Sequence, residues 1–431
     1  MKSYSSYKDS GVEWIGEIPS GWDIKRIGFF FDERRIKVDD TTYPPLSVTM
    51  KGIKDQLEGV AKSDDTSNRK LVKKNDFVIN SRSDRKGSSG VSFRDGSVSL
   101  INTVLEPRNI HPNYVGYLLK NYYFIEEYFR NGKGIHFDLW STNYSLMKNI
   151  KIPVVNIQEQ QQISNYLDHK TRQIDTLIEK TQQKIELLKE QRTSLINRIV
   201  TKGLNPNVEM KDSGVEWIGD IPSGWGMVPI KYLVSTKITD GPHETPKFVD
   251  DGIPFLSVES VQNNKLDFNK KRGFITDELH EEYSKKCKPQ RDDVFLVKSG
   301  STTGKSTIVE TDIEFNIWSP LCIIRSNQSK VTPKFTRISL QSDYFRKFIE
   351  LGWSFGTQPN IGMGVVENIR LIIPPLNEQQ QIVDYLDQET TKIDTLIEKE
   401  NQRIDLLKEY RQSLISEVVT GKVDVRDEVF V

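Results

Sequence analysis

The 431-residue sequence has only two cysteines, Cys287 and Cys322, and five scattered histidines. Two cysteines build neither a disulfide framework nor a structural zinc site, and the histidines show no metal-ligand spacing. No run approaches the roughly 18 apolar residues that a membrane-spanning helix needs. The opening "MKSYSSYKDSG" lacks the apolar core of a signal peptide, so a cytoplasmic protein is expected. Net formal charge is zero, which argues against a polycation that coats nucleic acid indiscriminately. The charge is uneven, however: residues 23–151 carry about +6 and residues 226–370 about +2. That pattern leaves DNA open as a partner without establishing it.

Catalytic signatures are missing too. "SGSTTGKST" (299–307) is near a phosphate-cradling P-loop, but Ser299 stands where the first glycine belongs and Gly300 comes one residue late. The loop could still approach phosphates or base edges through its backbone, with Lys298 and Lys305 at its ends, or be a plain solvated hairpin turn. Asp-x-Lys occurs at Asp23–Lys25 and Asp168–Lys170, as chance allows in a chain with 28% charged residues. There is no Gly-x-Ser-x-Gly elbow, no His-Glu-x-x-His, and no Asn/Asp-Pro-Pro-aromatic tetrapeptide. The chain is expected to perform no chemistry.

What is present is repetition. "KDSGVEWIGEIPSGW" (8–22) returns as "KDSGVEWIGDIPSGW" (211–225), with Glu17 exchanged for Asp220. Residues 159–201 align without a gap on residues 378–420, about two-thirds identical. The offsets differ, 203 for the peptide and 219 for the longer repeat, and no alignment stands out between residues 28–150 and 231–369. A frame is used twice around two unlike inserts.

The long repeat has helical periodicity. Its apolar positions are Ile163, Leu167, Ile174, Ile178, Ile185, Leu188, Leu195 and Ile199, matched by Ile382, Leu386, Ile393, Ile397, Ile404, Leu407, Leu414 and Val418. Pro153 and Pro374–Pro375 precede the two segments, and Gly203 and Gly421 follow them. A narrow apolar stripe on a long charged helix needs a partner, and mutual packing as a coiled coil is the economical one. The alternative is two helices lying separately on their own domains. In the inserts, residues 76–84, 97–108, 293–300 and 321–326 predict strands, and residues 113–129 and 333–351 predict helices.

Together, "GVEWIGEIPSGW" and its copy, "TDGPHETPKFVDDGIPFLSVESV" (239–261), "TQPNIGMGVVENIRLIIPPLNEQQQIVDYL" (357–386) and the paired "IDTLIEK" helices resemble the specificity subunit of type I restriction–modification enzymes. The resemblance covers nearly the whole chain. It implies an α+β protein with two globular mixed α/β target-recognition domains, joined by two long antiparallel coiled-coil helices in a pseudo-two-fold duplication. The expected segments are residues 1–151 (first repeat peptide and recognition domain), 152–204 (first spacer helix), 205–370 (second repeat peptide and recognition domain) and 371–431 (second spacer helix). It also implies a non-catalytic DNA-recognition subunit in which each domain reads half of a bipartite target. Its partners would be double-stranded DNA, two adenine methyltransferase subunits that use S-adenosylmethionine, and optionally a restriction–translocase subunit; this chain would bind no cofactor, metal or membrane. The first insert departs from the pattern in lacking "TDGxH", and "RKGSSG" (85–90) stands roughly where "STTGKS" stands in the second.

DNA reading combines basic groups on phosphates with side chains on base edges. In the first domain the candidates are Arg82, Ser83, Arg85, Lys86, Ser88 and Ser89, with Arg69, Lys70, Lys73 and Lys74 as backbone clamps and His136 besides. In the second they are Thr239, Asp240, His243, Lys298, Ser301, Thr302, Lys305, Thr357, Gln358 and Asn360. Asp240 has a competing reading as an Asx turn with Gly241. The repeated peptide around Trp14 and Trp217 is expected to brace equivalent corners of a circular frame, closed by the two ends of the chain. Two rivals stay open: a coiled-coil scaffold for proteins, and a nucleotide enzyme built on the 299–306 loop.

Overall fold

In the computed structural model, residues 2–56, 68–134, 140–262, 264–352 and 359–429 are described, apart from the side chain of Ser83. The long repeats fold as helices Ile157–Lys202 and Leu376–Val419, the first about 70 Å long at ~1.5 Å per residue. Each ends at its sequence-predicted stop. Gly203 (φ 77°) and Gly421 (φ 75°) take the left-handed conformation that an L side chain resists. Among the described residues no helix is long and apolar enough to cross a membrane.

The chain divides into two units, Met1–Gln182 with Asn401–Val431, and Gln183–Glu400. The division falls inside both long helices, so each unit holds half of each. In the first unit Ile163, Leu167 and Ile174 share one buried core with Leu414, Ile415 and Val418, and Arg411 reaches Asp175 at 2.9 Å. In the second, Ile196, Ile199 and Val200 are buried with Ile382, Val383 and Leu386, and Arg192 reaches Asp394 at 2.9 Å. Low numbers on one helix meet high numbers on the other, so the helices pack antiparallel on each other within each unit. Ile185, Ile393 and Ile404 are buried as well, while Ile178, Leu188, Leu195, Ile397 and Leu407 are half-buried. The two ion pairs are copies: Asp175 and Arg192 become Asp394 and Arg411 when 219 is added.

The repeated peptide folds twice into one motif. Hairpin Tyr7–Asp9 with Glu17–Pro19 is matched by Met210–Asp212 with Asp220–Pro222. A strand then pairs with the stretch before the long helix, Asp23–Arg26 with Lys151–Val154 and Gly226–Pro229 with Arg370–Ile373. The buried indoles of Trp22 and Trp225 donate to Glu159 (3.1 Å) and Glu378 (2.9 Å) on the first turns of the helices. Lys422 donates to the Glu17 carbonyl and Lys202 to that of Asp220. With Asp424 N donating to the Lys2 carbonyl (2.9 Å), the two ends of the chain meet in the first unit and close its frame.

Each insert is built on a four-stranded antiparallel sheet. In the first unit the order is Ser89–Val91, Phe77–Asn80, Asn102–Pro107, Phe31–Glu33; in the second it is Ser306–Ile308, Val294–Val297, Leu321–Ile324, Thr239–Asp240. The strands predicted at 76–84, 293–300 and 321–326 are therefore present but shorter. The segment predicted at 97–108 is two strands, Gly96–Val98 and Asn102–Pro107, separated by a turn. Each predicted helix is also two: Pro112–Leu118 and Tyr122–Arg130, then Pro333–Ser339 and Asp343–Gly352. The break has a local cause. Asn121 Oδ1 accepts the Phe124 N–H (3.0 Å), and Ser342 Oγ accepts that of Phe345 (3.3 Å), so each starts a new helix.

Candidate nucleic-acid interface

The inserts align once the sheet is known. From residue 77 to 91 and from 294 to 308, strand, eight-residue loop and strand run gap-free at an offset of 217. Gly87 (φ 79°) and Gly304 (φ 91°) occupy the same left-handed position in the two loops, beneath the tips of Ile125 and Ile349. The backbone N–H of Thr142 donates to the Ser81 carbonyl (2.9 Å), and that of Ile361 to the Lys298 carbonyl (2.7 Å). The same crossing segment thus holds the root of each loop. A buried aspartate stands under each as well. Asp76 pairs with Arg34 at 2.7 Å, and Asp293 with Arg325 at 2.7 Å. Sequence reasoning missed these four residues; the repeated order of Asp, four strand residues, then a glycine at the seventh loop position was the signal available.

On this common scaffold the loops differ in chemistry. In the first, Arg82 and Arg85 are exposed, Arg85 with Asp84 at 3.6 Å. Lys86 is half-buried, ion-paired to Glu126 at 2.7 Å and over the Phe129 ring. Ser88 and Ser89 are buried, and Ser89 Oγ donates to the Gly87 carbonyl at 3.4 Å. Arg69, Lys70, Lys73 and Lys74 belong to a different sheet, formed by strands Gly96–Val98, Arg69–Val72 and Lys37–Val38, and to the turn that follows. Arg69 Nε donates to Ser97 Oγ (2.8 Å) and Lys70 Nζ to the Asn102 carbonyl (2.7 Å). Lys73 pairs with Asp95 at 2.7 Å, while Lys74 is exposed. Arg69 and Lys70 thus spend their donors on the fold itself.

The second loop presents hydroxyls. Ser301 and Lys305 are exposed and Thr302 is half-buried, while Thr303 Oγ1 donates to the Gly300 carbonyl at 2.7 Å. Lys298 is buried, turned toward Asp240 at 3.1 Å; Lys286 reaches the same carboxylate at 2.7 Å and His243 Nε2 lies 3.2 Å away. Burial opposes the charge on Asp240, but Lys286 and Lys298 outweigh it and hold the carboxyl below the usual aspartate range. Asp240 is thus a buried carboxylate shared by two lysines, and the Asx-turn reading gives way to that role. Thr239 is half-buried beside it, and Asn360 bridges to Ser299 at the root of the loop. His136, Thr357 and Gln358 lie outside the described residues.

The loop at 299–306 joins two antiparallel strands, whereas a P-loop leads from a strand into a helix whose N-terminus holds the phosphate. Asp168, from the Asp-x-Lys matches, accepts from Tyr117 Oη at 2.7 Å. Burial pushes both cysteine thiols up to about 12, which leaves them inert. Among the described residues no group of three or more His, Cys, Asp or Glu could hold a metal ion.

Known proteins give the same picture. A family model described as type I restriction modification DNA specificity domain matches residues 19–187 and again residues 222–406. The type I restriction enzyme MjaVIII specificity subunit of Methanocaldococcus jannaschii is 24% identical over 429 residues, covering 95% of each chain. The EcoKI specificity subunit of Escherichia coli is 26% identical over 211 residues, 48% of this chain and 44% of that one. Among solved structures, the HsdS subunit from Thermoanaerobacter tengcongensis superposes with a TM-score of 0.52 at 16% identity, over 94% of this chain and 98% of that one. A chain from a type I R-M system solved for its complex assembly and conformational transition gives a TM-score of 0.70 at 15% identity, over 94% and 99%.

Proposed function

Because the chain belongs to the type I restriction–modification DNA specificity family, a family of non-catalytic subunits that recognise DNA sequence and organise methyltransferase subunits, we propose how its parts divide that work. Each recognition domain, within residues 1–151 and 205–370, reads one half of a bipartite target. The two long helices set the spacing between the halves. Two adenine methyltransferase subunits dock on the duplicated frame, since a pseudo-two-fold scaffold suits two identical partners. A restriction–translocase subunit can join that core.

The observation that carries this reading is one loop scaffold bearing two chemistries. Arg82 and Arg85 suit guanine O6 and N7 or phosphates, since guanidinium is a planar multiple donor. Ser301, Thr302 and Lys305 suit smaller, mixed donor–acceptor contacts. Lys298 and Asp240 act from beneath as positioning residues. Methylation needs the adenine turned out of the duplex, a step for the methyltransferase partners. The test is to express the chain with the methyltransferase subunit of its own genome and map N6-methyladenine across the host DNA. A single two-part motif, absent when the chain is omitted, supports the reading. No methylation from a soluble, assembled complex contradicts it.

A further inference from the structure

A second basic element lies beside each recognition loop. In the first unit it is the hairpin Leu46–Thr49 with Gly52–Asp55. Gly52 and Ile53 pack so closely on Gly90, in the strand that leaves the loop, that a Cβ at Gly90 would lie 3.0 Å from the Gly52 backbone. In the second unit it is the hairpin Val261–Gln262 with Lys265–Leu266. There Thr307 Oγ1, in the equivalent leaving strand, donates to the Asn264 carbonyl at 2.9 Å. Gly90 and Thr307 are the same position at the offset of 217. Both hairpins therefore dock at one point of a shared scaffold, although their sequences do not align.

Both are lysine-bearing. Lys51 and Lys54 on the first, and Lys265 and Lys270 on and just after the second, are exposed. None of the four has an ion-pair partner among the described residues. Neighbouring cations behave differently: Arg94 is tied to Asp55, Lys73 to Asp95 and Lys86 to Glu126. The hairpins are also anchored. Lys120 Nζ donates to the Met50 carbonyl at 2.9 Å, and Ser260 Oγ donates to the Lys270 carbonyl at 2.9 Å. On anchored hairpins, ammonium groups with no ion partner among the described residues are compact point charges suited to phosphate and carry no base code.

We propose that these two hairpins are phosphate clamps: each grips the DNA backbone beside its recognition loop, through Lys51 and Lys54 in the first domain and Lys265 and Lys270 in the second. The proposal rests on the DNA-reading function above and adds a division of labour, with the loop supplying specificity and the hairpin sequence-independent affinity.

The test uses the complex of the full chain with its methyltransferase subunits. Its affinity for a duplex carrying the mapped target and for an unrelated duplex of equal length is measured between about 50 and 200 mM salt. The variants are Lys51→Gln/Lys54→Gln and Lys265→Gln/Lys270→Gln. Each phosphate contact contributes about −0.9 to the slope of log K against log salt. Each double variant is therefore expected to flatten that slope by about 1 to 2, to weaken both duplexes by the same factor, and to leave the methylated motif unchanged. An unchanged slope, or a loss confined to the target duplex, overturns the clamp while leaving the recognition function standing. Failure of the unsubstituted complex to bind either duplex removes the underlying function and the clamp with it.

Discussion

The frame and the inserts each occur twice, but the two copies match to different depths. In the frame, equivalence reaches individual atoms: Trp22 with Glu159 against Trp225 with Glu378, Asp175 with Arg411 against Arg192 with Asp394. Gln160 accepts the His111 N–H, and Gln379 that of Thr332, so even the start of the first insert helix is held alike. In the inserts what persists is the scaffold: the strand order, the loop length, the left-handed glycine and the buried aspartate–arginine pair under each loop. Where Arg82 and Arg85 stand in one loop, Ser299 and Thr302 stand in the other. Identical surfaces fit a demand that is the same at both sites; differing loops fit a demand that differs.

The helices carry the largest expected effect. Four residues added to each, within 176–180 and 395–399, lengthen them by about 6 Å, against ~3.4 Å per base pair. The mapped target is expected to keep both halves and widen its spacer by one or two base pairs; an unchanged spacer contradicts the ruler.

Frame stability comes next. Glu159 accepts from both Tyr4 Oη (2.7 Å) and Trp22 Nε1, whereas Trp225 is the indole that reaches Glu378. Glu159→Ala is expected to cost about 3 kcal/mol and Glu378→Ala about half that, because each buried donor left without its charged acceptor loses ~1.5 kcal/mol or more. Urea unfolding of the two variants against the parent chain checks the order, and equal costs would mean that Tyr4 contributes nothing.

Asp240→Asn strands Lys298 and Lys286 and is expected to cost about 2 kcal/mol near neutral pH. The folded carboxyl lies below the usual range, so the parent's advantage is full above the pKa of an unfolded aspartate and is lost as pH falls through the lower folded value. The difference between parent and variant should therefore shrink in acid below about pH 4. Thermal melts at stepped pH would show it, and a gap that widens in acid would reverse the sign. Smallest are the exposed helix pairs: Asp175→Ala and Asp394→Ala should each cost about 0.3–0.5 kcal/mol and match one another, as exposed ion pairs do.

Much of this was legible in sequence because the frame repeats almost verbatim. The helices, their glycine stops, their mutual pairing and the corner motif all follow from local pattern read twice. The inserts resisted for a physical reason: their common fold is specified by strand pairing, which tolerates almost any apolar residue at an inward position. Asp240 is the clearest case. Its partners Lys286 and Lys298 stand 46 and 58 residues further along the chain, and only the folded sheet brings all three together. Lys70 and Lys298 look like ligand groups in sequence, yet Lys70 donates to the Asn102 carbonyl and Lys298 turns to Asp240. The basic hairpins escaped because neither resembles the other until both are seen against the same strand.

If one frame carries two independent readers, each half of the target can be changed alone. The most direct measurement is an N6-methyladenine map of host DNA from the parent chain beside one from a chain whose residues 231–369 are replaced by those of a related protein. The expected result is a motif in which one half changes while the other half and the spacer stay as they were. A motif altered in both halves, or left unaltered, would contradict it.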